Sequence, residues 1–162
     1  MWRWLDEHTA LFHEKNFEAC KLYYAPDFVF VKSTGELITG DDGVNAFHAQ
    51  YALFDLFFHG PVYSTIVATD DGYRLMGFAR LYINLPASSL NEYGREERKH
   101  EDMHGRKWDC VGQAAFFFDT VTDPSSPHGQ YFKRMQSLMD PVHVLAMAVE
   151  RGIVLREAVF AG

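Results

Sequence analysis

A chain of 162 residues, 48% hydrophobic and 15% aromatic, carries enough apolar side chains for one core with a ligand cavity inside it. Its formal net charge of -7, with acids and bases interleaved, argues against a nucleic-acid partner, which would need clustered Lys and Arg. No apolar stretch is long enough to span a bilayer, and the charged opening Arg3-Trp4-Leu5-Asp6-Glu7 lacks the pattern of a secretory signal. A single domain over residues 1–162, cytoplasmic and without a membrane partner, is expected, with Cys20 and Cys110 as buried, reduced thiols.

Leu5, Leu11, Phe12, Phe17, Leu22 and Tyr23 fall near helical spacing. They predict an amphipathic helix over residues 4–24, or a pair of turns broken near Asn16, stopped by Pro26-Asp27. A strand over 28–32, a turn at Ser33-Thr34-Gly35 and a short strand over 36–39 follow. Thr39-Gly40-Asp41-Asp42 starts a second helix that carries Val44, Phe47, Tyr51 and Phe54. Gly60-Pro61 breaks that pattern, and the first long strand is expected over 62–69, closed by the Asp70-Asp71-Gly72 hairpin turn.

Its partner runs over 73–85, where Gly77 leaves room for a bulge or a close neighbour, and Pro86 ends it. Residues 87–106 are charged and polar and read as an exposed insertion. A bulky strand over 107–120, a Pro-Ser-Ser-Pro loop and a strand over 130–139 complete the sheet. Val142, Leu145, Met147, Ala148 and Val149 suit a last helix stopped at Gly152, and no internal repeat is present.

The Ala25-Pro26-Asp27-Phe28 junction, the Thr39-Gly40 helix start, the Asp71-Gly72 turn and Asp140 after the last strand resemble the SnoaL-like branch of the nuclear transport factor 2-like (NTF2-like) superfamily, over about residues 4–140. Phe58-His59-Gly60-Pro61-Val62 and Leu81-Tyr82-Ile83-Asn84-Leu85-Pro86 resemble fungal members from secondary-metabolite clusters. The resemblance implies an α+β fold: a cone-shaped barrel whose curved antiparallel sheet wraps N-terminal helices, with an extra C-terminal helix. It also implies a pocket open at one end and a homodimer paired through the sheet. Polyketide cyclases, terpenoid isomerases, scytalone-type dehydratases, epoxide hydrolases and non-catalytic binding modules share that architecture, so the fold alone does not choose among them. The ketosteroid isomerases of the superfamily carry a general-base aspartate where this chain has Lys32 and an enolate-binding tyrosine near His8, which argues against that activity. Lys32 and His8 remain candidates to face one cavity.

Two residues stand out as acid–base candidates. Asp109 shares a strand face with Gln113, and among aromatics its carboxyl would titrate near neutrality. The opposite face carries Trp108, Cys110, Gly112, Ala114 and Phe116, and a register shift of one residue exchanges the two. His59 follows Phe57-Phe58 at the handover from second helix to sheet, where a neutral imidazole takes a proton from an acidic methylene and a capping or surface role is the alternative. His48 and Tyr51 lie three apart and can face inward together, with a solvated position as the alternative for His48.

Tyr63, Arg80 and Tyr82 offer donors for an enolate or carboxylate oxygen. Lys32, Phe30, Tyr51, Trp108 and Gln113 complete the expected substrate-binding set, which suits a flat, greasy molecule. His100-Glu101-Asp102-Met103-His104 matches the H-E-x-x-H zinc pattern, but its charged surroundings suit a solvated hairpin, and no metal is assigned. No phosphate loop, dinucleotide fingerprint or nucleophile elbow occurs, and no cofactor is expected. The reading is a cofactor-independent isomerase or cyclase acting on a polyketide or terpenoid intermediate, with Asp109 and His59 catalytic. Pyrone or lactone closure is the first outcome considered, and a scytalone-type dehydratase or a non-catalytic binding or dimerisation module is the alternative.

Overall fold

Leu5, His8 and Phe12 recur at i, i+3 and i+7, which places them on one face of a helix. In the computed structural model, which describes residues 2–86 and 98–153, helix α1 (Trp2–His13) turns that face inward. The helix ends in a Schellman motif: Asn16 N–H bonds the Leu11 carbonyl at 2.9 Å, Lys15 N–H bonds that of Phe12 at 3.0 Å, and Lys15 takes φ 58°. Asn16 then caps the short helix α2 (Phe17–Cys20), so the predicted long helix breaks where its alternative reading placed the break.

Six strands form the main sheet: β1 (Tyr24–Val31), β2 (Leu37–Thr39), β3 (Leu56–Ala68), β4 (Gly72–Asn84), β7 (Cys110–Thr122) and β8 (Gln130–Met139). Their order is β2-β1-β8-β7-β4-β3, and the sheet curves without closing. Every neighbouring pair is antiparallel except β1 and β8. The sheet is therefore mixed rather than wholly antiparallel, because the first and last long strands meet side by side in its middle. Helix α3 (Gly40–Ala49) packs on β1, and Phe12, Tyr24, Phe28, Phe30, Phe47 and Phe132 join the helices to the sheet in one core.

Several boundaries differ from the sequence expectation: β1 starts at Tyr24 rather than at 28, and α3 ends at Ala49, so Tyr51 and Phe54 follow it outside the helix. Gly60-Pro61 lies inside β3 rather than before it, since β3 is a sheet edge and a proline there removes no ladder hydrogen bond. The strand expected from residue 107 breaks at Asp109. Lys107–Trp108 (β6) pairs instead with His100–Glu101 (β5) in a small hairpin. The hairpin's first strand and turn belong to the charged insertion, of which residues 98–106 are described and 87–97 lie outside the described residues. Helix α4 (Val142–Glu150) buries Val144 and Ala148 and ends before Gly152, whose φ is 68°. Among the described residues no helix is long and apolar enough to cross a membrane.

Candidate functional site

Alternation along the strands decides which side chains meet the helices. Leu75, Gly77 and Ala79 of β4 stand opposite Phe118, Phe116 and Ala114 of β7, and Phe116 and Phe118 stand opposite Ser137 and Met135 of β8. Helix α1 covers this row with Leu5, His8, Thr9 and Phe12, and Phe47, Tyr51 and His59 complete the enclosure of a cavity of about 230 Å³. Its walls are mostly carbon. Asp6, Pro61 and Ser64, all exposed, form its mouth.

Two backbone features shape the sheet side of the cavity. Opposite β4, Pro61 pairs with Ala79 and Tyr63 with Phe78, so Val62 is an extra residue in a bulge. The bulge reverses the alternation, which turns Ser64 into the cavity and leaves Tyr63 61% exposed on the outer face. Gly77 sits opposite Ser64, where a Cβ would stand 2.2 Å from the Tyr63 carbonyl oxygen and 2.7 Å from Phe116 Cζ.

His59 is held from both sides. His13, the last residue of α1, presents Nε2 to the His59 backbone N–H at 3.1 Å and to the His59 ring Nδ1 at 3.1 Å. An Nε2 that accepts the backbone proton carries none of its own, so the ring contact must be donated by His59 Nδ1–H. His59 Nε2 is then an unprotonated acceptor, and the Tyr51 hydroxyl donates to it at 3.3 Å. Burial, and then the neighbouring His13, lowers the His59 pKa to about 3. Burial and then the Arg106 charge lower that of His13 to about 4. Tyr51 is pushed up to about 12 by burial, against a hydrogen bond from Ser137. At neutral pH the cavity thus holds a neutral imidazole whose unprotonated Nε2 accepts from a protonated phenol.

A second chain lies behind the other wall. The Tyr24 hydroxyl bridges His8 Nε2 at 3.0 Å and His48 Nε2 at 3.1 Å, with all three residues buried. His48 is stacked on Phe17 and only 6% exposed, so it reaches the surface by one edge rather than standing in solvent. Burial, then the other histidines, lowers His8 to about 3, and burial, then Lys21, lowers His48 to about 4.

Of the residues expected in the site, Tyr51 and His59 meet in the cavity and His8 lines it with them, whereas Asp109, Lys32, Phe30, Tyr63, Arg80, Trp108 and Gln113 do not. Asp109 sits at the β6–β7 break, because the inward position belongs to Cys110, opposite Ile83. Its carboxylate receives both Arg151 Nη atoms at 2.9 and 2.8 Å and the Leu85 N–H at 2.9 Å. Burial opposes its charge, but these donors hold its carboxyl below the ordinary carboxylate range. Gln113 and Arg80 pair with each other across β7 and β4 on the outer face, beside Tyr82 and a shallow depression.

Trp108 is fully buried with its indole N–H on Asp102 at 3.0 Å, stacked on Phe58 beneath Arg106. Lys32 is bonded to Glu36 across the turn at 2.8 Å, and Phe30 lies in the core against Phe47. His100 and His104 lie on the β5–β6 hairpin rather than on a helix, and Asp102 organises its turn by accepting from His104 N–H, Arg106 and Trp108. Among the described residues no group of three or more His, Cys, Asp or Glu is arranged to hold a metal. Sequence reasoning missed His13, Tyr24 and Ser137. His13 meets His59 across 46 residues, a contact with no local signature, whereas His8 was readable from its i, i+4 spacing with the buried Phe12.

Scanning family models and searching curated proteins give no match. Solved structures do match over most of the chain. The fold is NTF2-like. Aln2 from a Streptomyces species superposes with a TM-score of 0.61 at 15% identity, over 89% of this chain and 91% of that one. A scytalone dehydratase-like protein from Novosphingobium aromaticivorans gives 0.59 at 10% identity over 85% and 80% of the two chains. The CaMKII hub of S. rosetta gives 0.59 at 10% identity over 86% and 93%. The NTF2-like fold thus carries both a dehydratase-like protein and an association hub, and residues must argue the chemistry.

Proposed function

We propose that this protein is a cofactor-independent acid–base enzyme that isomerises or cyclises a small polyketide or terpenoid intermediate, with pyrone or lactone closure among its outcomes. The observation that carries this reading is His59: a neutral imidazole whose unprotonated Nε2 opens on a carbon-walled cavity beside the Tyr51 hydroxyl. His59 Nε2 takes a proton from a carbon next to a carbonyl, and Tyr51 turns its O–H to the oxygen where the enolate charge gathers. The apolar walls penalise an isolated imidazolium, but the same transfer creates the enolate that pairs with it. Phe12, Phe47, Phe116 and Phe118 hold a flexible chain in a reactive shape. About 230 Å³ exceeds the roughly 150 Å³ void that admits one benzene ring, which favours a molecule of one or two rings or a short open chain.

A second imidazole, His8, in the same cavity favours dehydration as the alternative, since one group then takes the carbon-bound proton while the other protonates the leaving hydroxyl. The apolar outer face of the sheet, with Tyr63, Phe78, Phe117 and Leu138 exposed, supports a homodimer.

The test adds purified protein to a metabolite extract of the source organism lacking this gene, with products resolved by mass. Conversion of an accumulated compound to one of equal mass supports isomerisation or cyclisation, and loss of one water supports the dehydratase or a condensing closure. A bound but unchanged compound would move the protein to the non-catalytic binding modules.

A further inference from the structure

We propose that His8 is the second acid–base group of the cavity and that Tyr24 and His48 link it to solvent as a proton relay. The inference rests on the acid–base reading above. His8 lines the cavity and uses Nε2 on Tyr24. Its Nδ1 has no hydrogen-bond partner among the described residues and is the nitrogen left to serve a ligand. At the other end, His48 also commits Nε2 to Tyr24, and its ring feels the charges of Glu18 and Lys21. Glu18 of α2 and Lys21 just after it form an exposed ion pair, and His48, 6% exposed, stacks on Phe17 beside them, so the chain runs from the cavity towards that charged surface.

One hydroxyl between two imidazole nitrogens donates to one and accepts from the other. The chain therefore has two states. In the first, His8 carries its proton on Nδ1, Tyr24 donates to His8 Nε2, and His48 Nε2–H donates to Tyr24. In the second every bond is reversed: His8 Nε2–H donates to Tyr24, Tyr24 donates to His48 Nε2, and His48 carries its proton on Nδ1. Passing from first to second delivers the His8 Nδ1 proton to the substrate oxygen or carbon, while Tyr24 reprotonates His8, His48 reprotonates Tyr24, and solvent supplies one proton at His48 Nδ1. The cycle closes after product leaves. The proton that His59 took then passes through water in the emptied cavity to His8 Nδ1, and one proton leaves at His48. No net proton is gained, and the substrate need not leave its seat for its proton to be replaced.

Nitrogen-15 NMR of histidine-labelled full-length protein at neutral pH tests this without knowledge of the substrate. The ligand-free spectrum is expected to show His8 and His48 in opposite tautomers. Acetophenone, which only accepts a hydrogen bond, is expected to fix the proton on His8 Nδ1 and shift His48 towards Nε2–H. Isopropylbenzene, of nearly the same shape, is expected to leave His48 unchanged, and Tyr24→Phe to abolish the acetophenone response. Like tautomers in the free protein, a His48 signal that ignores acetophenone or answers both probes equally, a response that survives Tyr24→Phe, or failure of both probes to enter the cavity would each overturn the relay. Failure of the acid–base reading itself is seen elsewhere, as full conversion by His59→Ala.

Discussion

His13 Nε2 stands 3.1 Å from both the backbone nitrogen and the ring Nδ1 of His59, and that double contact sets the protonation of the cavity's base. Because His13 Nε2 accepts the backbone proton it carries none of its own, so the His59 ring donates to it from Nδ1 and keeps an unprotonated Nε2, which accepts from Tyr51. The edge position of β3 makes this possible, because the His59 N–H points away from β4 and needs a partner from elsewhere.

Replacing His13 by Leu removes that acceptor. We expect turnover to fall by on the order of 10-fold or more as the His59 tautomers mix. Stability should fall by about 1–3 kcal/mol for the unsatisfied N–H. His13→Gln, which retains an acceptor oxygen, should recover part of both, as read by kinetics and urea denaturation.

Gly77→Ala should destabilise the fold by about 3 kcal/mol, because the new methyl meets a backbone carbonyl at 2.2 Å and β3 must shift. The same shift disturbs the bulge at Val62, so residual folded protein should lose affinity for cavity ligands. Urea denaturation and ligand titration check the two effects separately.

Asp109→Asn breaks a buried ion pair with Arg151 and should cost about 3–5 kcal/mol of stability. Turnover by the folded fraction should stay within a few-fold of wild type, because Asp109 does not line the cavity.

Acid should unfold this protein early. His8 and His59 have pKa values lowered to about 3 in the fold, below the unfolded value near 6.5. The unfolded chain therefore binds more protons between pH 6.5 and 3, and stability falls as pH falls through that window. Two such groups give a slope of about 3 kcal/mol per pH unit, and His13 and His48, lowered to about 4, add to it above that pH. Asp102, held at about 2 by hydrogen bonds that outweigh its burial, adds a further loss below about pH 4. Unfolding midpoints in urea from pH 7 to 4 measure this, and a flat profile would show that the histidines are charged in the fold.

The sequence carried most of the architecture because strands and helices announce themselves by local period: Val44 and Phe47 on α3, or the bulky run through Phe116-Phe117-Phe118, need no distant information, although the same period carried on to Tyr51 and Phe54 overran the helix end at Ala49. What it did not carry were the features that depend on neighbours. Pro61 reads as a breaker until β3 is known to be an edge, and Tyr63 reads as inward until the bulge at Val62 is seen. Asp109 was ambiguous for the same reason, since one residue of register exchanges the faces of its strand. His59 and Tyr51 were legible as candidates, whereas their partner His13 was not, because the contact joins a helix end to a sheet edge.

The most direct test of the account compares His59→Ala, Asp109→Asn and wild type in the extract assay run in D₂O, following both conversion and deuterium uptake by mass. The account predicts that wild type and Asp109→Asn form product carrying solvent deuterium at the transferred position, and that His59→Ala lowers the rate by about 100-fold or more. Conversion by His59→Ala at the wild-type rate would contradict it.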